Sequence, residues 1–172
     1  MNKKDIKNEL DIAKKAAQGA GILLVKKKSK LLNSISSSDT DIKLKADIES
    51  EKFIKEYLHN NSVYPILAEE SGRSVKDLGK NFWVVDPLDG TANYARGIPL
   101  CCVSIAFMHK MEPVLGVVFD FNNNNLYEGS LGNSAKLNGN TIKVSDVDTP
   151  REGVLVTGLP NNTDYSDLAL LK

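Results

Sequence analysis

The sequence predicts an α+β protein in which two helices precede a large, mostly antiparallel sheet. Helical spacing of apolar residues occupies two stretches within the first 60 residues, and short apolar runs separated by turn signals follow them. Asn138-Gly139 is the strongest of these turn signals and is typical of a two-residue hairpin. Helices that come before the strands, instead of alternating with them, place the chain in the α+β class.

The two helices are predicted from apolar spacing and from one capping residue. The first covers residues 4–28, where apolar side chains recur at helical intervals at Ile6, Leu10, Ala13, Ala17 and Leu24. The second follows Asp47, which is a good N-cap and predicts that the helix starts there. Residues 26–41 are basic and rich in serine, so a loop or flexible flap is expected between the helices.

Two of the predicted strands end in acidic residues. The apolar stretch 63–68 leads into Glu69, and the run 82–85 is typical of a strand buried on both faces. This second strand is expected to stop at Asp86-Pro87, because proline cannot continue a central strand. Residues 72–81 are polar and are predicted to form a loop. Later strands are predicted at 100–108, 113–121, 126–128, 136–137, 142–144 and 155–156, before a helix that starts near residue 166.

Composition restricts the partners. The chain has 172 residues, which suits one domain, and 22 Lys plus Arg balance 22 Asp plus Glu. A zero net charge provides no broad basic surface for a nucleic acid polymer and no polybasic membrane patch. Without a signal-peptide pattern, a membrane-spanning run or a Cys-x-x-Cys pair, a cytoplasmic protein is expected. An anionic partner must therefore be held by a local site.

Three carboxylates form the candidate site. Asp86 and Asp89 lie three residues apart in a turn whose backbone is constrained by Pro87 and Gly90. This geometry can direct both carboxylates, and the carbonyl of residue 88, into one pocket. Glu69 joins them if its strand neighbours the strand 82–85. Two like charges about 4 Å apart cost about 4 kcal/mol at an effective dielectric near 20, so protons or cations must compensate them.

The chemistry of these ligands favours a hard cation. All candidate ligand atoms are oxygens, which suits Mg²⁺, Mn²⁺ or Ca²⁺ better than zinc. A helix that starts at Gly90-Thr91 would direct free N–H groups at a phosphate, and the Thr91 hydroxyl could orient a metal-bound water. From spacing alone, an ordinary turn remains an equal alternative, because Asp-Pro and Asp-Gly are common turn dipeptides. Glu69-Glu70 alone is usually a solvated pair.

Residues 86–94, Asp-Pro-Leu-Asp-Gly-Thr-Ala-Asn-Tyr, resemble the signature D-P-[IL]-D-G-T-x-N-[FY] of the inositol monophosphatase family. Segments 67–71, 41–47 and 132–139 resemble three further family segments in the same order. They differ from the usual residues at Ala68, Leu44 and Ser134, where the family has Gly, Thr and Gly. The later W-D-x-A-A-G motif is absent, since the one tryptophan, Trp83, is followed by valine.

The resemblance implies the fold and the activity. The fold would be the N-terminal part of a layered αβαβα sandwich, with residues 1–172 as one α+β domain that binds metal and phosphate and with the C-terminal domain absent. The activity would be Mg²⁺-dependent, lithium-sensitive hydrolysis of a small phosphate monoester such as inositol monophosphate. A 3′(2′),5′-bisphosphate nucleotidase, a sugar bisphosphatase, and a catalytically incomplete metal-binding or oligomerising fragment are the alternatives. A homodimer is left open.

The resemblance also implies a set of metal ligands. Glu69, Asp86 and the Leu88 carbonyl would hold one Mg²⁺, and Asp86 and Asp89 would share a second. Asp47 would help to hold a weaker third ion or its water. Mn²⁺ or Ca²⁺ could substitute for Mg²⁺ in binding.

Catalytic and substrate-binding roles follow from the same resemblance. Thr91 with Asp47 or Glu69 would position and activate the attacking water. Phosphate would be bound at Asp89, Gly90 and Thr91. Two residues are expected to support these groups without contacting the reacting atoms, namely Glu70 and Asn93.

Overall fold

The computed structural model describes residues 3–32, 34–37 and 42–154, which form four helices and ten strands. The helices are α1 (Lys3–Lys26), α2 (Lys28–Leu31), α3 (Lys45–Asn61) and α4 (Thr91–Arg96). The strands are β1 (Ser34–Ser37), β2 (Ile42–Leu44), β3 (Ile66–Ala68), β4 (Gly72–Arg73), β5 (Asn81–Asp89), β6 (Cys102–His109), β7 (Glu112–Asp120), β8 (Asn125–Ser130), β9 (Lys136–Leu137) and β10 (Asn140–Thr141). The strand predicted at 155–156 and the helix predicted from residue 166 lie outside the described residues.

Eight strands form one sheet in the order β10-β9-β8-β7-β6-β5-β3-β4. Every neighbouring pair is antiparallel except β3 and β5, which run parallel. The predicted α+β class is therefore confirmed, with β5 in the interior of the sheet. A separate antiparallel pair is formed by β1 and β2.

The core lies where α1 and α3 pack against the sheet. The four alanines of α1, Ala13, Ala16, Ala17 and Ala20, are completely buried and let the helix approach the sheet closely. A Cβ at Gly21 would lie 2.6 Å from the Phe119 ring, so a larger residue would push α1 off β7. Among the described helices, none is long and apolar enough to cross a membrane.

The predicted boundaries of the helices are wrong in two places. Within the expected loop 26–41, residues 28–31 form α2 and residues 34–37 form β1. The strand β1 forms because its backbone pairs with β2, which the composition of this polar segment does not suggest. The helix predicted after Asp47 is α3, which starts at Lys45 with Leu44 as its N-cap. Asp47 therefore lies in the first turn of α3 and is not the cap. Its carboxylate still satisfies a terminal donor, because Oδ2 accepts the Leu44 N–H at 2.8 Å.

The prediction that the central strand stops at Asp86-Pro87 is also wrong, because β5 continues to Asp89. Asp86 lies opposite Ser104 and Asp89 opposite Cys102, so three steps along β5 match two along β6. This extra residue is a β-bulge, where an unpaired N–H is tolerated and proline can be accommodated. The bulge therefore turns the backbone of the acidic segment without ending the strand. At the other edge, β10 ends at Thr141, and the strand predicted at 142–144 does not form.

Candidate active site

Parallel pairing of β3 with β5 places Glu69 beside Asp86. Ala68 lies opposite Val85, and the next residue on each strand is one of the two acids. The Glu69 N–H donates to the Val85 carbonyl at 3.1 Å, which continues the pairing by one residue. The two carboxyl groups lie close enough for each to act directly on the pKa of the other. Residues 17 positions apart in sequence thus form one acidic pair at the edge of the bulge.

The acidic pair retains a proton more strongly than isolated carboxyl groups would. Partial burial, together with the neighbouring Asp86 charge, raises the pKa of Glu69 to about 7. Burial also raises the pKa of Asp86. Two adjacent carboxyl groups in a partly buried site favour the state in which one of them is protonated. A bound cation could replace this proton, since it would compensate the same charge.

The turn after Asp86 carries the Leu88 carbonyl and leads to the Thr91 hydroxyl. The Leu88 N–H donates to Asp86 Oδ1 at 3.2 Å, which ties the turn to the Asp86 carboxylate. The Leu88 carbonyl lies 3.1 Å from Thr91 Oγ1. Asp89 is exposed, and its Oδ2 lies 3.7 Å from the Cys102 thiol, which donates to it. Burial and the Asp89 charge raise the pKa of Cys102 to about 12, so this thiol keeps its proton.

Thr91 is hydrogen-bonded to a buried carboxylate. Asp47 is only 2% exposed, and its Oδ1 accepts the Thr91 hydroxyl at 2.7 Å while its Oδ2 is occupied by the Leu44 N–H. Burial raises the pKa of Asp47. Since a hydroxyl has one proton and two lone pairs, donation to Asp47 leaves the Thr91 oxygen able to accept a hydrogen bond from a water.

Sequence reasoning missed two buried polar residues of α3, Ser50 and Glu51. The Ser50 hydroxyl donates to the Pro87 carbonyl at 2.7 Å, and Glu51 Oε2 accepts the Glu70 N–H at 2.8 Å. Together with Asp47 they occupy positions i, i+3 and i+4 of one helical face, which continues with buried Ile54. Polar residues on an otherwise apolar face were the available signal, because such groups need partners when they are buried.

Asn93 has a structural partner. Its side-chain Nδ2 donates to the Leu100 carbonyl at 2.8 Å, which ties α4 to the segment that enters β6. The Tyr94 hydroxyl donates to the Leu24 carbonyl at 2.8 Å, which ties α4 to α1. These contacts fix the position of the short helix that begins with Thr91.

The donors fit a hard cation that keeps part of its water shell. Across residues 3–32, 34–37 and 42–154, no three His, Cys, Asp or Glu side chains form a group that could hold an ion by themselves. The oxygen donors available here are the Glu69–Asp86 pair and the carbonyl of Leu88, two residues after Asp86. Three protein oxygens with water completing the shell suit Mg²⁺, which usually keeps several waters and binds through one or two carboxylates.

We expect the substitution Gly90→Ala to damage the turn. Gly90 has a φ of +85°, and an added Cβ would lie 2.6 Å from the Leu100 carbonyl oxygen. The strained backbone and the clash together should lower the free energy of unfolding by about 2 to 4 kcal/mol. Gly79→Ala is the matched control, because Gly79 has a φ of +66° with no atom within 4 Å of the added Cβ. Equal losses in urea denaturation would show that the Leu100 clash is unimportant.

The model of the inositol monophosphatase family matches residues 5–166. The chain belongs to this family. It is 41% identical over 143 residues to a Nus factor SuhB of Xylella fastidiosa, which covers 81% of this chain and 51% of that protein. It is 33% identical over 163 residues to a fructose-1,6-bisphosphatase/inositol-1-monophosphatase of Aquifex aeolicus, which covers 92% of this chain and 61% of that protein.

Solved structures of family members have the same fold. The inositol monophosphatase from Anabaena (Nostoc) sp. PCC 7120 aligns with a TM-score of 0.70 at 35% sequence identity, over 83% of this chain and 52% of that one. The resemblance predicted from residues 86–94 is therefore confirmed as family membership. This chain spans about half to three-fifths of the length of the family members it matches.

Proposed function

We propose that the polypeptide of which these residues form part hydrolyses a small phosphate monoester with Mg²⁺. The observation that carries this proposal is the Glu69–Asp86 pair, in which the parallel pairing of β3 with β5 places two partly buried acids side by side. Such a pair needs a proton or a cation between its members. Membership of a family that includes phosphatases supports the choice of a metal ion that binds phosphate oxygens.

Glu69, Asp86 and the Leu88 carbonyl would hold one Mg²⁺. Asp86 and Asp89 would share a second, with the Asp89 carboxylate exchanging its Cys102 contact for the ion, and Asp47 would contribute to a third ion through water. Bound Mg²⁺ would lower the pKa of a water molecule and neutralise charge on the phosphate oxygens. Lithium inhibition, as in the family, belongs to the same proposal.

The chain's own residues would orient the reactants. The Thr91 hydroxyl, which donates to Asp47 at 2.7 Å, would accept a hydrogen bond from the attacking water and direct the water's lone pair toward phosphorus. As the water attacks, its proton would pass to the Thr91 oxygen while the Thr91 proton passes to the Asp47 carboxylate. The backbone N–H groups of Gly90 and Thr91 would donate to the phosphate. Glu70 and Asn93 would support the site without contacting the reacting atoms. The Asn93 side chain fixes the segment before β6, and the Glu70 N–H, bonded to Glu51, fixes the turn after Glu69.

The substrate of the whole protein would be a polyol or sugar phosphate. The family members compared above include an enzyme named for both inositol and fructose phosphates, and this supports a polyol or sugar phosphate as substrate. A 3′(2′),5′-bisphosphate nucleotide is the alternative. A further carboxylate ligand and most specificity residues would come from the part of the family fold that this chain does not span, if residues 1–172 are, as we propose, one N-terminal α+β domain.

The experiment is a phosphate-release assay with the full-length protein. The substrates are inositol 1-phosphate, fructose 1,6-bisphosphate and 3′-phosphoadenosine 5′-phosphate, each with Mg²⁺ and with a chelator. We expect release from at least one of them that requires Mg²⁺. If no substrate is hydrolysed, or if chelation leaves the rate unchanged, the proposal is wrong.

A non-catalytic role is the second candidate, because a relative with 41% identity is named a Nus factor. In that role the metal centre would be dispensable. The test is rescue of cells that lack the protein. If the Asp86→Asn full-length protein rescues them as well as the wild type does, the non-catalytic role is favoured. If Asp86→Asn abolishes both the rescue and the phosphatase activity, the enzymatic role is favoured.

Mg²⁺ should raise the melting temperature of the wild-type protein, since it binds only the folded site. At a concentration about 100-fold above the dissociation constant, the expected gain is about 2.7 kcal/mol. Glu69→Gln should remove most of this gain without destabilising the metal-free protein, because it leaves a neutral group beside Asp86. Differential scanning calorimetry measures both effects, and Glu112→Gln, at an exposed position of β7, is the control. A full Mg²⁺ shift in Glu69→Gln would exclude Glu69 as a ligand.

A further inference from the structure

A buried glutamate of α3 holds the backbone that follows Glu69. Glu51 is 4% exposed, and its Oε2 accepts the N–H groups of Glu70 at 2.8 Å and Ser71 at 3.3 Å. Its Oε1 lies 3.7 Å from the Lys55 ammonium group. Two successive backbone N–H groups directed at one carboxylate oxygen form an anion-binding nest, and hydrogen bonds to a charged acceptor are the stronger kind. Glu51 therefore restrains the turn between β3 and β4.

The backbone is hydrogen-bonded on both sides of the Glu69 side chain. On one side, the Glu69 N–H is bonded to the Val85 carbonyl of β5 at 3.1 Å. On the other side, the next peptide N–H is bonded to Glu51 of α3. Both peptide groups that flank the Glu69 side chain are thus tied to different elements. The direction in which the Glu69 carboxyl group leaves the backbone, toward Asp86, depends on both ties.

We propose that Glu51 is a positioning residue of the metal centre, which sets the direction of Glu69 and thereby the Mg²⁺ affinity. This inference rests on the proposed function and adds a residue to it that touches neither metal nor substrate. Mg²⁺ demands near-ideal octahedral geometry at about 2.0–2.1 Å, so a small tilt of one ligand weakens binding. Loss of an outer partner of a metal ligand typically costs about 10- to 100-fold in metal affinity or activity.

The test is a Mg²⁺ titration of the full-length protein and two variants, followed both as Mg²⁺ binding by isothermal titration calorimetry and as phosphate release, and the two readouts should shift together. Glu51→Met keeps the length of the side chain but removes the acceptor, and Glu51→Gln keeps a neutral acceptor. In Glu51→Met the Mg²⁺ concentration for half-maximal rate should rise about tenfold or more. In Glu51→Gln it should rise about threefold, because a neutral acceptor is roughly half as strong. The substrate KM at saturating Mg²⁺ should change by less than about twofold in both.

Two controls separate positioning from stability. Ile54→Val removes a methyl group from a completely buried residue one turn along α3, and Glu56→Met changes an exposed glutamate of the same helix. With every protein assayed equally far below its own Tm, both controls should keep the wild-type Mg²⁺ dependence.

The outcomes are distinguishable. If Glu51→Gln keeps the wild-type Mg²⁺ dependence, or if Ile54→Val shifts it as much as the Glu51 variants, the positioning role is wrong while the proposed function stands. Should Glu51→Met fail to fold, Glu51→Gln decides alone. A wild-type protein without Mg²⁺-dependent hydrolysis overturns the proposed function, and the positioning role with it.

Discussion

The substitution Asp86→Asn is expected to reduce kcat/KM of the full-length protein about a thousandfold or more. Asp86 is the carboxylate that would be shared by two ions; it lies beside Glu69 and accepts the Leu88 N–H. Asparagine keeps the shape of the side chain but removes the charge. The loss corresponds to several kcal/mol of transition-state stabilisation, which is the size that a catalytic metal supplies. The measurement is steady-state phosphate release at saturating Mg²⁺.

Asp86→Asn should leave the metal-free fold intact. Removing one of two adjacent carboxylates relieves their repulsion, so the melting temperature without metal should stay the same or rise. Asp146→Asn, which changes an exposed acid outside the sheet, is the matched control and should have the wild-type rate. A rate for Asp86→Asn within about threefold of the wild type would contradict the metal-centred mechanism.

Thr91→Val is expected to lower kcat about 10²- to 10⁴-fold, the range that a positioned proton-transfer group contributes. Valine is close to threonine in shape but has no hydroxyl to connect Asp47 with the attacking water. It also leaves Asp47 Oδ1 without its partner in a buried site, so some loss of stability should accompany the loss of rate. The Mg²⁺ dependence should change little, since Thr91 is not a proposed ligand.

Thr91→Ser is the informative comparison for this prediction. Serine keeps the hydroxyl, so it should recover most of the rate that valine loses, and Thr141→Val at an exposed edge should have no effect. Equal rates for the serine and valine variants would show that the hydroxyl contributes nothing. The Asp47–Thr91 contact would then be structural only.

The order of helices and strands was predictable because local signals agree with the fold in most places. Apolar spacing locates α1 and α3, and Asn138-Gly139 locates the β9–β10 turn, in which both residues have positive φ. The same local signals mislead at Pro87, where the bulge absorbs a residue that normally ends a strand. Pairing between strands decides this point, and it is not visible in a single segment of sequence.

The candidate site was predictable as a motif and not as a network. Residues 86–91 form the turn, and β3, the parallel neighbour of β5, places Glu69 beside it. Asp47 was expected near the site by family resemblance, but its contact with Thr91 depends on how α3 crosses the sheet. The roles of Ser50 and Glu51 depend on the same packing. The roles of all three residues are revealed only by hydrogen bonds that join residues 19 to 44 positions apart in the sequence.

The most direct test of the metal centre is anomalous diffraction from crystals of the full-length protein soaked in Mn²⁺, which has stronger anomalous scattering than Mg²⁺ and suits the same ligands. The account predicts a peak within about 2.3 Å of a Glu69 carboxylate oxygen, an Asp86 carboxylate oxygen and the Leu88 carbonyl oxygen. A peak only at other residues, or no peak at these three oxygens at millimolar Mn²⁺, would contradict it.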